Sequence, residues 1–166
     1  FSSIQADRGS MAGVVTHDGD SAIDSLHTFR NSGVELYDVQ VYNHGTLHGQ
    51  GAVDVGVLNH GTIDVKAGEQ LQFSGRGSVN LSEIKNAGGE IRFQHGLVNR
   101  HGGLIEGHGQ FMADADDGWT NEGLIQMTGD AEIHGDLKNS FSGSDTTDIG
   151  IHISNGHTVT FHDDVT

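Results

Sequence analysis

Val57-Leu58-Asn59-His60-Gly61-Thr62-Ile63-Asp64-Val65 reads as an apolar residue, Asn, one variable residue and Gly, followed by alternating polar and apolar residues. The same word stands sixteen residues earlier as Val41-Tyr42-Asn43-His44-Gly45-Thr46-Leu47. Weaker copies are Ile84-Lys85-Asn86-Ala87-Gly88-Gly89-Glu90-Ile91, Leu97-Val98-Asn99-Arg100-His101-Gly102-Gly103-Leu104 and Trp119-Thr120-Asn121-Glu122-Gly123-Leu124-Ile125. Asn31-Ser32-Gly33-Val34 is an earlier one. The word gives Asn43, Gly45, Asn59, Gly61, Asn86, Asn99, Asn121 and Gly123 a shared structural role. From Asn31 through Asn43, Asn59, Asn86, Asn99 and Asn121 the intervals are 12, 16, 27, 13 and 22 residues.

A repeat of packed helices would not tolerate such drift. A β-solenoid does, because length changes fall in the turns between short stacked strands. The word has a mechanism in that setting. The apolar residue points inward from a strand end, and Asn bonds its own backbone two residues on. Gly supplies a positive φ or a close approach between coils. Asn43 and Asn59 are then expected to stack as a ladder of buried amides. The alternative is a set of independent Asn-Gly turns in an antiparallel sandwich or barrel, which would require longer strands and regular hairpins.

Working outward, the period is two in short segments: Ile63 and Val65, Leu71 and Phe73, Ile91 and Phe93, Ile125 and Met127, Ile149 through Ile153, Val159 and Phe161. No window sustains an amphipathic helix, and 26 glycines in 166 residues weaken helices further. Proline and cysteine are absent, which excludes disulfides and thiolate metal sites. Eight Lys and Arg face 23 Asp and Glu, a formal charge of −15. Such a surface does not suit a phosphate backbone, so no nucleic-acid partner is expected. Nor does any apolar run reach the length of a membrane span.

A single solenoid domain is expected over 1–166, with less regular coils or a cap over 1–30. The chain opens Phe1-Ser2-Ser3-Ile4 and closes in mid-alternation at Val159–Thr166. Since a solenoid needs a polar cap at each end, the expectation is a segment of a longer chain. Open strand edges would then favour end-to-end or dimeric self-association.

Asn43-His44-Gly45-Thr46-Leu47, Asn59-His60-Gly61-Thr62-Ile63 and Gly156-His157-Thr158-Val159-Thr160-Phe161 resemble the degenerate repeats of filamentous haemagglutinin-like adhesins, autotransporter passenger domains and related right-handed parallel β-helices. The resemblance covers roughly 31–166. It implies a bacterial extracellular or cell-surface location and a structural or adhesive role, with a glycan or surface partner. Some proteins of this shape are polysaccharide lyases or hydrolases instead. The fold class expected is all-β, a right-handed parallel β-helix with irregular coil lengths. The handedness rests on this resemblance and on the bias of parallel crossovers.

Cleavage of a polyuronate would need a base, for which Arg76, Arg92 and Arg100 are the candidates. Hydrolysis would need a carboxylate pair, and Asp114, Asp116, Asp117, Glu122, Asp130, Glu132 and Asp136 are too many to single one out. No nucleophile elbow, phosphate loop or His-Glu-x-x-His pair is present. The non-enzymatic reading is favoured. Twelve histidines fall partly into sets: His44, His48 and His60; His95, His101 and His108; His152, His157 and His162. They are read as ring stacks on successive coils in preference to a zinc site. Calcium is the better metal candidate, at Asp114, Asp116 and Asp117, with lesser runs at His17–Asp20 and Asp145–Asp148; solvated loop carboxylates with no cofactor are the favoured reading of the same runs. Trp119 is the residue singled out for ligand contact, against the alternative that it caps the core.

Overall fold

The computed structural model describes residues 14–17, 20–23, 40–114, 117–140 and 150–166. Asn31, Asp116, Asp145–Asp148, Ile149 and most of 1–30 lie outside the described residues. Among those described there is no helix, and none therefore long and apolar enough to cross a membrane.

The strands come in coils. The first described are β1 (Val14–His17) and β2 (Asp20–Ile23), then β3 (Gln40–Asn43), β4 (Thr46–Gly49) and β5 (Gly51–Val53). The next coil is β6 (Gly56–Asn59), β7 (Thr62–Lys66) and β8 (Gln70–Phe73). In three further coils the second and third strands run together through a bend. These are β9 (Val79–Asn80) with β10 (Glu83–Phe93), β11 (Leu97–Asn99) with β12 (Leu104–Ala113), and β13 (Trp119–Asn121) with β14 (Leu124–His134). The last are β15 (Leu137–Asn139), β16 (Gly150–Ile153) and β17 (Val159–Phe161). All pair in parallel with their counterparts one coil away, giving a seven-stranded sheet β1-β3-β6-β9-β11-β13-β15 and a ten-stranded one built from the rest. The chain is an all-β parallel solenoid.

Alternation puts every second side chain inside, and parallel register stacks like on like. One interior row is Leu47, Ile63, Ile84, Ile105, Ile125 and Ile151. Another is Val53, Phe73, Phe93 and Ala113. The Phe73 and Phe93 rings stack at 5.1 Å with 8° between planes, close to the ~4.8 Å spacing of neighbouring strands. Ala113 leaves the next place in that row small, and Trp119 meets Phe93 edge-on at 5.8 Å. Phe93→Leu should therefore cost about 1–2 kcal/mol, the lost ring contacts adding to a small cavity. Thermal or urea unfolding of the variant checks this.

Ile153 departs from the alternation: it was expected inward and is 46% exposed. Among the described residues, β16 on which it lies has a paired neighbour on one side only, and no further rung covers it there.

Candidate functional site

The ladder of asparagines is the most regular feature of the interior. Asn43 donates from Nδ2 to Asn59 Oδ1 at 2.7 Å, Asn59 to Asn80 at 2.8 Å, Asn80 to Asn99 at 2.8 Å, Asn99 to Asn121 at 2.8 Å, and Asn121 to Asn139 at 2.9 Å. The second hydrogen on each amide goes to a backbone carbonyl of the next rung: Thr62, Glu83, Leu104, Leu124 and Gly150 in turn. The Oδ1 atoms of Asn43, Asn59 and Asn80 also accept the N–H two residues on, from Gly45, Gly61 and Ser82. Asn43, Asn59, Asn80, Asn99 and Asn121 are buried, and each such amide both donates and accepts hydrogen bonds, as burial demands.

The coil lengths between these asparagines are 16, 21, 19, 22 and 18 residues. Asn80 and Asn139, which the repeated word missed, belong to the ladder. Asn86 does not. It stands in β10 beside Val65 and Gly107 of the adjoining rungs. There its amide donates to Gly89 O at 3.1 Å and Gln110 O at 3.0 Å, and its carbonyl takes Gly89 N–H at 2.8 Å. Asn86 holds the bend inside β10, a different corner of the coil. The word's glycines serve by close approach. Gly45, Gly61 and Gly123 have no positive φ. A Cβ on Gly61 would lie 2.1 Å from Gly45 O, and one on Gly123 would lie 2.4 Å from Gly103 O.

The outward rows are paired charges. Lys85 Nζ sits 3.0 Å from Glu83 Oε1 and 3.5 Å from Glu106 Oε1. The hydrogen bond and charge of Glu83, with Glu106 behind them, hold its ammonium above the ordinary lysine value. Arg100 Nη1 takes both oxygens of Glu122, at 3.1 and 2.9 Å. Arg92 lies between Glu90, at 3.8 Å, and Asp114, at 3.9 Å. Asp117 faces His95 at 3.0 Å and Arg76 at 3.8 Å. Arg76 and Arg92 thus border one acidic loop, while Arg100 is on the turn after the ladder asparagine. The three form no single stripe.

The same contacts locate the expected calcium ligands. Asp114 and Asp117 each look toward the chain's own cations, and the Asp114 backbone carbonyl closes the loop on Asp117 and Gly118 N–H at 3.2 and 2.9 Å. Trp119 is 4% exposed, and its Nε1 donates to His134 O at 2.8 Å. The indole is part of the core, so it presents no face to a ligand in solution. An open depression on the outer face is lined by Gln50, Gly51, Ala52, Gln70, Leu71, Gln72 and Glu90, without an aromatic ring.

Histidine rings do stack between coils. His44 and His60 lie 5.1 Å apart with 6° between planes, at equal places in their words. His134 and His162 lie closer, 3.9 Å apart at 5°. His134 belonged to none of the sequence sets. Its neighbour is fixed by register, Ile133 opposite Phe161, and not by any spacing visible in the chain. Glu132 Oε2 is 3.5 Å from His134 Nε2 and 3.8 Å from His162 Nε2. One rung edge is further tied where Asp130 accepts the Thr158 N–H at 2.9 Å, a bond that holds its carboxyl below the usual aspartate value.

Compared with known proteins, the chain matches no family model, no curated protein sequence and no solved structure.

Proposed function

We propose that this chain is a non-enzymatic stalk or adhesin-like segment of a secreted or surface protein. The observation that carries the reading is the amide ladder from Asn43 to Asn139, unbroken while coil length changes at every step. A scaffold of this kind fixes its interior and leaves its outward residues free to vary, which serves length and stiffness. The three arginines that a lyase reading needs are engaged with Asp117, with Glu90 and Asp114, and with Glu122. That engagement favours a structural surface over a catalytic one. The resemblance of the repeat words to those of bacterial surface β-helices supports an extracellular location. A strongly negative surface is tolerable in a saline exterior, where counterions screen it.

The test has two arms. The purified chain is incubated with neutral and acidic polysaccharides, with calcium and with chelator, while reducing ends and unsaturated-uronate absorbance are followed. No product is expected. Saturable release would overturn the non-enzymatic reading and direct mutagenesis to Arg76, Arg92 and Arg100. In the second arm, antibody raised against the chain should decorate intact producing cells. Labelling only after lysis would overturn the surface assignment.

A further inference from the structure

A rod needs no convergent donors on its outer face, yet among the described residues one place has them. Glu132 and His134 project two residues apart from β14, and His162 follows β17 on the adjoining rung. One donor atom from each of the three lies within 4.8 Å of the others. Glu132 and His162 are exposed and His134 is half-buried, so solvent ions have access. We propose that Glu132, His134 and His162 bind a divalent late first-row transition ion, with zinc as the reference case, and that the ion clips one rung to the next.

The chemistry of the donors selects the metal. Two imidazoles and one carboxylate suit zinc, nickel or copper, whereas calcium and magnesium take oxygen ligands. Bonds of about 2.0–2.2 Å hold tetrahedral ligand atoms about 3.3 Å apart. Glu132 Oε2 is 3.5 and 3.8 Å from the two Nε2 atoms, so the approach needs a few tenths of an ångström. The rings are parallel and 3.9 Å apart, so a shared ion requires that they unstack, each turning by tens of degrees about its side-chain torsions until both lone pairs converge beside the carboxylate. The exposed positions of Glu132 and His162 leave room for that turn. Gln110 Nε2 stands 3.5 Å from the same Glu132 oxygen, an outer partner of the kind that orients a ligating carboxylate. The fourth position is left to water.

The site spans a gap in sequence that is closed in space. His134 and His162 are 28 residues apart and stack because β17 pairs with β14. An ion there would cross-link two rungs and stabilise the stack by mass action.

Tag-free protein, stripped with chelator, is titrated with Co2+ and then with Zn2+ in competition, following the visible absorption of bound cobalt. One equivalent should bind, and zinc should displace the cobalt. His134→Gln and His162→Gln should each weaken affinity by at least about tenfold, while His101→Gln, in an exposed turn, should leave it unchanged. Zinc in large excess should raise the thermal midpoint by about 5 °C, a shift absent from both site variants. Circular dichroism establishes that the variants are folded. Absence of saturable binding at micromolar metal, or equal affinity in wild type and both site variants, would overturn the proposal.

Discussion

Asn80→Asp is expected to lower the unfolding free energy by about 4 kcal/mol or more near neutral pH, and to do so less in acid. Asn80 Nδ2 donates to Asn99 Oδ1 at 2.8 Å and to Leu104 O at 3.1 Å. A carboxylate donates to neither. The buried Asn99 Oδ1 and the half-buried carbonyls of Leu104 and Ser82 then lose their donor, at about 1–3 kcal/mol for each acceptor left stranded, and an oxygen faces an oxygen where a hydrogen bond stood. Burial of the charge adds to this. Both effects disfavour the ionised form, so the folded-state pKa of the new carboxyl is raised above its unfolded value of about 3.9. Below that value the group is protonated in both states, and its O–H replaces one of the lost donors. The stability so retained is lost as pH rises through the raised folded pKa. Urea midpoints of variant and wild type across acidic to neutral pH give the difference directly. Near neutral pH the thermal midpoint should fall by about 10 °C or more. A variant as stable as wild type at neutral pH would mean that the ladder contributes nothing through these bonds.

The second large effect concerns Gly107→Ala, which should cost about 3–4 kcal/mol, against about 1 kcal/mol for Gly102→Ala. Gly102 has φ +86°, and a Cβ there would meet nothing within 4 Å. Alanine at that turn carries only the strain of the left-handed region. Gly107 has φ +123°, and its Cβ would lie 1.8 Å from Asn86 O. Strain and collision add, because the obstructing atom is backbone in a paired strand and has no rotamer by which to withdraw. The register between β10 and β12 shifts just beyond this point, so the bend itself is what the glycine allows. Paired unfolding curves for the two variants separate the effects. Equal losses would show that the rungs part more easily than their pairing implies.

The architecture was legible because period-two segments and a repeated Asn-x-Gly word are both local. Asn43 and Asn59 stack as that word implies, and so do His44 and His60. The ladder was misread at one step for a physical reason. Ser82 stands where Gly is expected after Asn80, while Asn86-Ala87-Gly88-Gly89 carries similar letters at another bend. The two misread intervals, 27 and 13, sum to the same 40 residues as the true 21 and 19. Trp119 was hard to place because an indole at a strand start serves equally on a surface or in a core. Here the ring meets Phe93 edge-on and the His134 carbonyl takes its N–H, so both its apolar body and its polar tip are satisfied inside. The Glu132, His134 and His162 group was not legible at all. Neighbours across rungs are set by coil length, and when that length varies, counting along the chain does not find them.

The amides of the ladder all point the same way. Asn59, Asn80, Asn99 and Asn121 each give an N–H to the next ladder amide and take one from the amide before, so their dipoles, each on the order of a peptide unit's ~3.5 D, add along the axis and do not cancel. The rod is consequently a vector. Reversing any one amide of the row would set a donor against a donor on one side and an acceptor against an acceptor on the other. Polarity of this sort, held in the interior, ties the orientation of each amide to that of its neighbours, and the variable surface need not encode it.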